Sequence, residues 1–360
     1  MHKSRHAVAA YGLALIGLAV SHAASARDLT IVSWGGNFQD AQRELFFAPY
    51  GKQTGQKVLD QTWEGGVGVL DTKVKAGNPN WDVVEVEAED LALGCEQGLF
   101  EKIDWTKVGN KADFIPEAVN ECGVGNIVWN TGLSWDGDKL KTAPTSWADF
   151  FDLEKIPGKR GLRKGPKYAL EFALIADGVK PSEVYNVLRT PEGVDRAFKK
   201  LGTIKSNIVW WEAGAQPLQM LSSGDIVLSS SYNGRITGFN NNEGKNFKFL
   251  WNGSVSAIDS WAVLKGSENK AAAMDFIAFS SKPEEQAKLP KYIAYGLTNK
   301  KANDFVPQEL KHTLPTTPEN LAQSIPIDIK VQVFNNGTQT VVGFLDIFKT
   351  DQVFHVVILT

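Results

Sequence analysis

The chain of 360 residues carries a formal net charge of −3 and 43% hydrophobic residues, an ordinary globular balance with room for one large or two medium cores. The lack of a basic excess argues against nucleic acid or an anionic membrane as a partner, and no low-complexity tract points to disorder. Past residue 26 the only histidines are His312 and His355 and the only thiols are Cys95 and Cys122, too few and too scattered for a zinc site, so neither a metal nor another cofactor is expected.

Residues 1–26 read as an export signal, with Lys3 and Arg5 at the start, an apolar run over 7–20 and a small-residue cleavage site at Ala24-Ser25-Ala26. That run is short for a transmembrane span, so a soluble periplasmic protein is expected, with a retained amino-terminal anchor as the alternative. A β-branched strand over 29–34 stops at Gly35-Gly36, and an amphipathic helix follows from Gln39 with Leu45, Phe46 and Phe47 inward. Strands over 57–62 and 82–86 alternate with helices over 67–76 and 91–97. That alternation implies a parallel sheet with ligand sites at the strand carboxyl ends. Cys95 and Cys122 lie in the exported part, where a disulfide is the default and would contribute about 3 kcal/mol. Two free buried thiols are the alternative.

The second half repeats the rhythm, with helices over 168–176, 181–188 and 191–199 and strands over 207–210 and 226–231. Segments 129–133 and 254–263 are strand-like and sit where one α/β series ends and another begins, so they read as crossings between two lobes. A helix over 283–289 opens on Ser281-Lys282-Pro283-Glu284. The last twenty residues, 341–360, are β-branched and aromatic without a helical period, which fits either an edge strand or a frame-altered terminus.

The chemistry is that of a binder rather than an enzyme. There is no Gly-x-Ser-x-Gly elbow, there are too few histidines for a triad, and Gly65-Gly66-Val67-Gly68 lacks the Lys-Ser/Thr of a phosphate loop. Among eleven tryptophans, those beside turns at strand ends can box an alkyl chain and its ammonium, at about 0.5–2 kcal/mol each. Core packing is the commoner fate of a tryptophan, and Trp81 and Trp147 read as structural. Trp34 and Trp211 are the better wall candidates because Gly35 and Gly214 follow closely and leave room for a ligand. One acid, Asp259, interrupts the apolar run over 254–263, and burying it without a cation is costly.

Several short motifs occur in a shared order: the strand ending in Trp34, Thr54-Gly55-x-Lys57-Val58, Trp81-Asp82-Val83-Val84, Gly98-Leu99-Phe100-x-x-Ile103-Asp104, Pro144-Thr145-Ser146-Trp147-Ala148-Asp149, Tyr232-Asn233-Gly234, Ile258-Asp259-Ser260-Trp261-Ala262 and Tyr295-Gly296-Leu297-Thr298-Asn299. By these the chain, over about 29–328, resembles the periplasmic solute-binding proteins of ABC importers, in the spermidine/putrescine-binding family. The resemblance implies a two-lobed α/β fold of the type II periplasmic-binding class, each lobe a mixed sheet flanked by helices, with the ligand in the cleft between lobes. It also implies a monomer that delivers a small molecule to an inner-membrane permease. The lobes are expected over 27–132 with 260–305, and over 133–259 with 306–360.

As the resemblance implies, Trp34, Tyr232 and Tyr295 match aromatic walls and Asp259 matches the acid that receives one ammonium. The far end departs: where polyamine binders place carboxylates, Leu162-Arg163-Lys164-Gly165-Pro166-Lys167-Tyr168 offers basic and neutral residues. A diamine would leave its second ammonium near Lys164 or Lys167, a like-charge arrangement. Arg235 offers paired donors to a carboxylate, so an ω-amino acid such as 4-aminobutyrate is the expected ligand, and some members of the family are associated with it. Gly35, Tyr168, Trp211 and Gln216 complete the expected lining. Glu85, Glu87 and Glu212 stand as alternative second acids that would restore putrescine or spermidine. Arg235 could instead pair with Asp259, Asp225 or Glu243. A secreted amine-processing enzyme is the rival of another class, and a sensory role is the rival to transport.

Overall fold

A computed structural model describes residues 27–331 and the short strands Val333–Phe334 and His355–Val356. The export signal over 1–26 and most of the tail over 341–360 lie outside the described residues. Among the described residues no helix is long and apolar enough to cross a membrane, and no cluster of His, Cys, Asp and Glu could hold a metal ion.

Strand β1 (Leu29–Ser33) is buried throughout and lies between β2 (Val58–Thr62) and β3 (Val83–Glu87), parallel to both. This is the strand–helix alternation legible in the sequence. Two much longer strands, β4 (Gly123–Asp136) and β8 (Phe247–Val263), then pair antiparallel along their length. The segments read as crossings lie inside them. β3 pairs with the carboxyl half of β8, and the second half of β4 pairs with β7 (Leu228–Tyr232). Beyond β7 come β5 (Arg160–Arg163) and β6 (Ile208–Trp211), both in parallel pairing. The short β9 (Gly296–Leu297) and β10 (Ser324–Pro326) add to β4 and β8. The ten strands form one continuous mixed sheet, so, apart from the short β10 beside β8, the parallel pairing expected from alternation holds only at its two ends. The antiparallel centre arises because the chain returns between lobes through strands, not helices. Expected helices 181–188 and 283–289 are each broken, into a 3₁₀ turn Pro181–Glu183 before Val184–Leu188, and Pro283–Gln286 before a 3₁₀ turn Leu289–Lys291.

Packing fixes the sheet from both ends. Trp147 stacks on Phe172 at 3.7 Å and donates its indole N–H to the Gly253 carbonyl at 2.9 Å. Trp81 donates to Gln61 Oε1 at 2.8 Å, so both tryptophans are structural, as expected. Arg160 is fully buried, and its guanidinium donates to the carbonyls of Phe150, Gly158 and Asp152, tying the helix Trp147–Phe151 to β5. Cys95 and Cys122 form the expected disulfide, Cα atoms 5.7 Å apart, between the helix Ala88–Glu96 and the approach to β4. Closing that loop contributes about 3 kcal/mol. Val306, Leu310 and Leu314 pack with Ala287, Leu297 and Ala302, so the chain through Leu314 shares a core with the segment just before it.

Candidate functional site

A cleft opens where the carboxyl ends of several strands meet. From one side come Trp34 after β1, Glu64 after β2, Glu87 ending β3, and Tyr295; from the other come Arg163 ending β5, Glu212 and Gly214 after β6, Tyr232 ending β7, and Arg235. Ile127, Trp129 and Asp259 on the two long strands form its floor, and Phe38 closes one edge. With its mouth the cleft holds about 450 Å³ of empty space, the scale of a small-molecule site.

The acids are unevenly paired. Glu87, Asp259 and Ile127 sit opposite one another in the ladder across β3, β8 and β4, so their side chains share one face of the sheet. Asp259 is 4% exposed and accepts from Trp129 Nε1 at 2.7 Å. It has no salt bridge among the described residues. Burial, then the neighbouring Glu85 and Glu87 carboxylates, push its pKa well above the ordinary carboxylate range. Glu87 is met by the Lys167 ammonium, which also reaches Glu89, and Glu212 accepts from Lys164 at 2.6 Å.

The cations have spare donors. Arg235 is buried, with Nη1 donating to the Gly35 carbonyl at 2.8 Å and Nη2 to the Trp34 carbonyl at 3.0 Å, while Nε has no partner among the described residues. Among the described residues it forms no salt bridge, neither with Asp259 nor with Asp225 or Glu243. Gly35 and Gly36 adopt φ of 64° and 59°, and a Cβ on Gly36 would lie 2.8 Å from Arg235 Nη1. Only glycine permits both the turn and that approach. The nearest ion-pair contact of Arg163 is Glu87 at 3.9 Å, too long for a hydrogen bond. Its planar donors therefore remain available to an anion in the cleft.

Aromatic rings frame the space between. Trp34 stacks on Trp63 at 5.2 Å, and Tyr295 meets Phe38 edge-on at 5.2 Å. Tyr232 is held edge-on by Trp129 at 5.0 Å and by Trp211 at 5.8 Å. The two sides touch tightly at Gly234, where a Cβ would fall 2.5 Å from the Tyr295 ring. Gly234→Ala is expected to weaken ligand binding about tenfold, because overpacking costs about 1–3 kcal/mol. The Arg235 bonds to the Trp34 and Gly35 carbonyls hold the sides together without ligand as well, so the ligand-free melting temperature should also fall. Calorimetry and a thermal melt on the same preparation check both, and an unchanged affinity would show that the sides need not approach this closely.

Of the residues expected to line the site, Trp34, Tyr232, Arg235, Asp259 and Tyr295 come together on the cleft. Gly35 contributes its carbonyl to Arg235. The other four stand behind the wall. Glu85 is enclosed, accepting from Ser33 Oγ at 2.5 Å, Asn126 Nδ2 at 2.6 Å and Gln42 Nε2 at 2.9 Å; burial still pushes its pKa to about 7. Tyr168, at φ 67°, backs Trp129 edge-on at 5.8 Å. Trp211 supports Tyr232, and Gln216 Oε1 accepts from the Glu212 and Ala213 amides at 2.7 and 2.9 Å, shaping the rim loop. Phe38, Glu64, Ile127, Trp129 and Arg163 line the cleft and were absent from the expected set. Two signals could have found members of it: Trp129 lies in a crossing strand, and Arg163 opens the basic segment where acids are missing.

The family model described as bacterial extracellular solute-binding protein matches residues 46–316. A gamma-aminobutyric acid-binding protein of Pseudomonas aeruginosa is 45% identical over 89% of this chain and 92% of its own. The spermidine/putrescine-binding periplasmic protein of Escherichia coli is 24% identical over 88% of this chain and 90% of its own. A solved structure titled Atu4243-GABA receptor superposes with a TM-score of 0.73 at 34% identity, covering 84% of this chain and 92% of its own. Cleft, fold and relatives agree: the chain belongs to the bacterial extracellular solute-binding proteins, which are two-lobed binders and not enzymes.

Proposed function

We propose that this protein, exported by its signal over 1–26 into the periplasm, captures an ω-amino acid such as 4-aminobutyrate as a monomer and hands it to the permease of an ABC importer. The observation that carries the reading is the pairing pattern in the cleft: among the described residues, Asp259 is the lining acid both buried and without a protein cation, while Arg163 and Arg235 keep unused donors. Asp259 receives the ammonium, the guanidinium groups receive the carboxylate, and the alkyl spacer lies against Trp34, Tyr232 and Tyr295. The bodies that close are 27–132 with 260–314 and 133–259 with 315–331, the boundary expected at 305 moving because Val306, Leu310 and Leu314 share a core with Ala287, Leu297 and Ala302. Names of relatives support the same ligand. Putrescine is disfavoured because Glu87 and Glu212 already hold Lys167 and Lys164.

Calorimetry and thermal shift with 4-aminobutyrate, putrescine and spermidine side by side test this. A ligand at one hundred times its dissociation constant should stabilise by about 2.7 kcal/mol. The expected result is saturable binding of 4-aminobutyrate with weak or absent polyamine binding. Tight putrescine binding with no response to 4-aminobutyrate would overturn the reading.

A further inference from the structure

We infer that Lys167 is a specificity-determining residue: its ammonium, held by Glu87 and Glu89, neutralises the lining acid that a second ammonium on the ligand would need. The inference rests on the reading of the cleft as an amine site. Glu87 and Asp259 lie directly opposite one another in the β3–β8 ladder and both line the cleft, so the floor presents two adjacent carboxylates. Two such acids would suit a ligand with two cationic ends. Lys167 removes one of them from use.

The side chain is built for that position. Lys167 follows Gly165 at φ 117° and precedes Tyr168 at φ 67°, a sharp turn between β5 and the helix Ala169–Ala176. A left-handed tyrosine is rare and costs free energy unless its surroundings hold it. The turn sets the Lys167 ammonium over the Tyr168 ring at 4.9 Å and against both acids, with its side chain only 11% exposed. Lys167 does not itself line the cleft, so it excludes no ligand by bulk. It acts on charge: Glu87 is neutralised, and the Arg163 guanidinium at 3.9 Å adds a second positive neighbour. On this face a mono-ammonium ligand meets Asp259, whereas a diamine whose second charge reaches Glu87 meets two cations and an acid already paired.

The test compares wild type with Lys167→Gln, Lys167→Arg and the double variant Lys167→Gln/Glu87→Gln by calorimetry, using 4-aminobutyrate and putrescine. Lys167→Gln should bind putrescine at least tenfold tighter than wild type while 4-aminobutyrate changes less than threefold. Lys167→Arg, which keeps the charge, and the double variant, which removes the freed acid, should show no gain. A folded Lys167→Gln protein without a putrescine gain overturns the inference, as does a gain that survives in the double variant. Wild type supplies a check that needs no variant: putrescine should bind no tighter than 1-aminobutane, and a tenfold preference for the diamine overturns the inference. Failure of 4-aminobutyrate to bind wild type, alongside a putrescine gain in Lys167→Gln, would fell the ligand reading and leave the role of Lys167 standing.

Discussion

Asp259→Asn is expected to lower the affinity for 4-aminobutyrate about a thousandfold and, at neutral pH, to raise the melting temperature of the ligand-free protein. Truncating one partner of a desolvated charge pair costs about 2–5 kcal/mol, and a thousandfold corresponds to about 4 kcal/mol. The asparagine keeps an oxygen for Trp129 Nε1, so the floor retains its 2.7 Å hydrogen bond. What it loses is the charge. In the empty cleft that charge is a liability, since burial and the Glu85 and Glu87 carboxylates hold the pKa of Asp259 well up. Over the pH window from the unfolded value, about 3.9, to the raised folded value, the native state holds a proton that the unfolded chain releases. Stability from this group therefore falls as pH rises through the window and is fully lost above it. Asparagine abolishes that loss.

Ligand affinity runs the opposite way. The ammonium binds the ionised acid, so below the raised pKa binding must expel a proton, and affinity drops by up to about tenfold for each pH unit of acidification. Calorimetry in two buffers of different ionisation enthalpy reads the released proton directly. Wild type should release one on binding in that window, and Asp259→Asn should release none. A variant that loses stability together with affinity would mean that Asp259 serves the fold and not the ligand.

How much of this was legible in the sequence depended on whether a residue's role is local. Trp34 and Asp259 could be found because the first ends a β-branched strand and the second is an acid interrupting an apolar one, whereas Tyr232 was found through its family motif, its own strand being mostly serine. Glu85 looks the same as Glu87 in Val83-Val84-Glu85-Val86-Glu87, two residues apart on the same face of the strand. Only packing separates them: Ser33, Gln42 and Asn126, far apart in sequence, enclose the first, while the second reaches the cleft. Arg163 was visible as part of a basic segment, yet its lysine neighbours proved to be occupied by Glu87, Glu89 and Glu212. Which member of a charged run keeps its hydrogen-bond donors free is a tertiary fact. The continuous sheet was hidden for a similar reason, because periodicity reports each strand's burial and not its neighbours. The partner of Arg235 was beyond reach too, since backbone carbonyls have no signature in sequence.

Arg235→Ala is expected to lower affinity for 4-aminobutyrate about a thousandfold and to open the ligand-free protein. The guanidinium joins the two sides by charge-assisted hydrogen bonds to the Trp34 and Gly35 carbonyls, a class worth about 1.5–3 kcal/mol each. Water replaces part of that when the sides separate, so the latch contributes about 3 kcal/mol to closure and the lost carboxylate contact adds to it. Removing the latch depletes the closed state, and apparent affinity falls in proportion to that population. A ligand without a carboxylate should therefore weaken as well, by about a hundredfold. Arg163 touches neither carbonyl, so Arg163→Ala should weaken carboxylate ligands alone and leave 1-aminobutane unaffected. Arg235→Lys should behave nearly as the alanine variant, since a single ammonium lacks the planar fork that spans two carbonyls. Small-angle scattering reads the opening as a larger radius of gyration in Arg235→Ala and no change in Arg163→Ala. If Arg235→Ala stays as compact as wild type and loses only carboxylate ligands, its bonds to Trp34 and Gly35 are incidental to closure and recognition alone explains its place in the cleft.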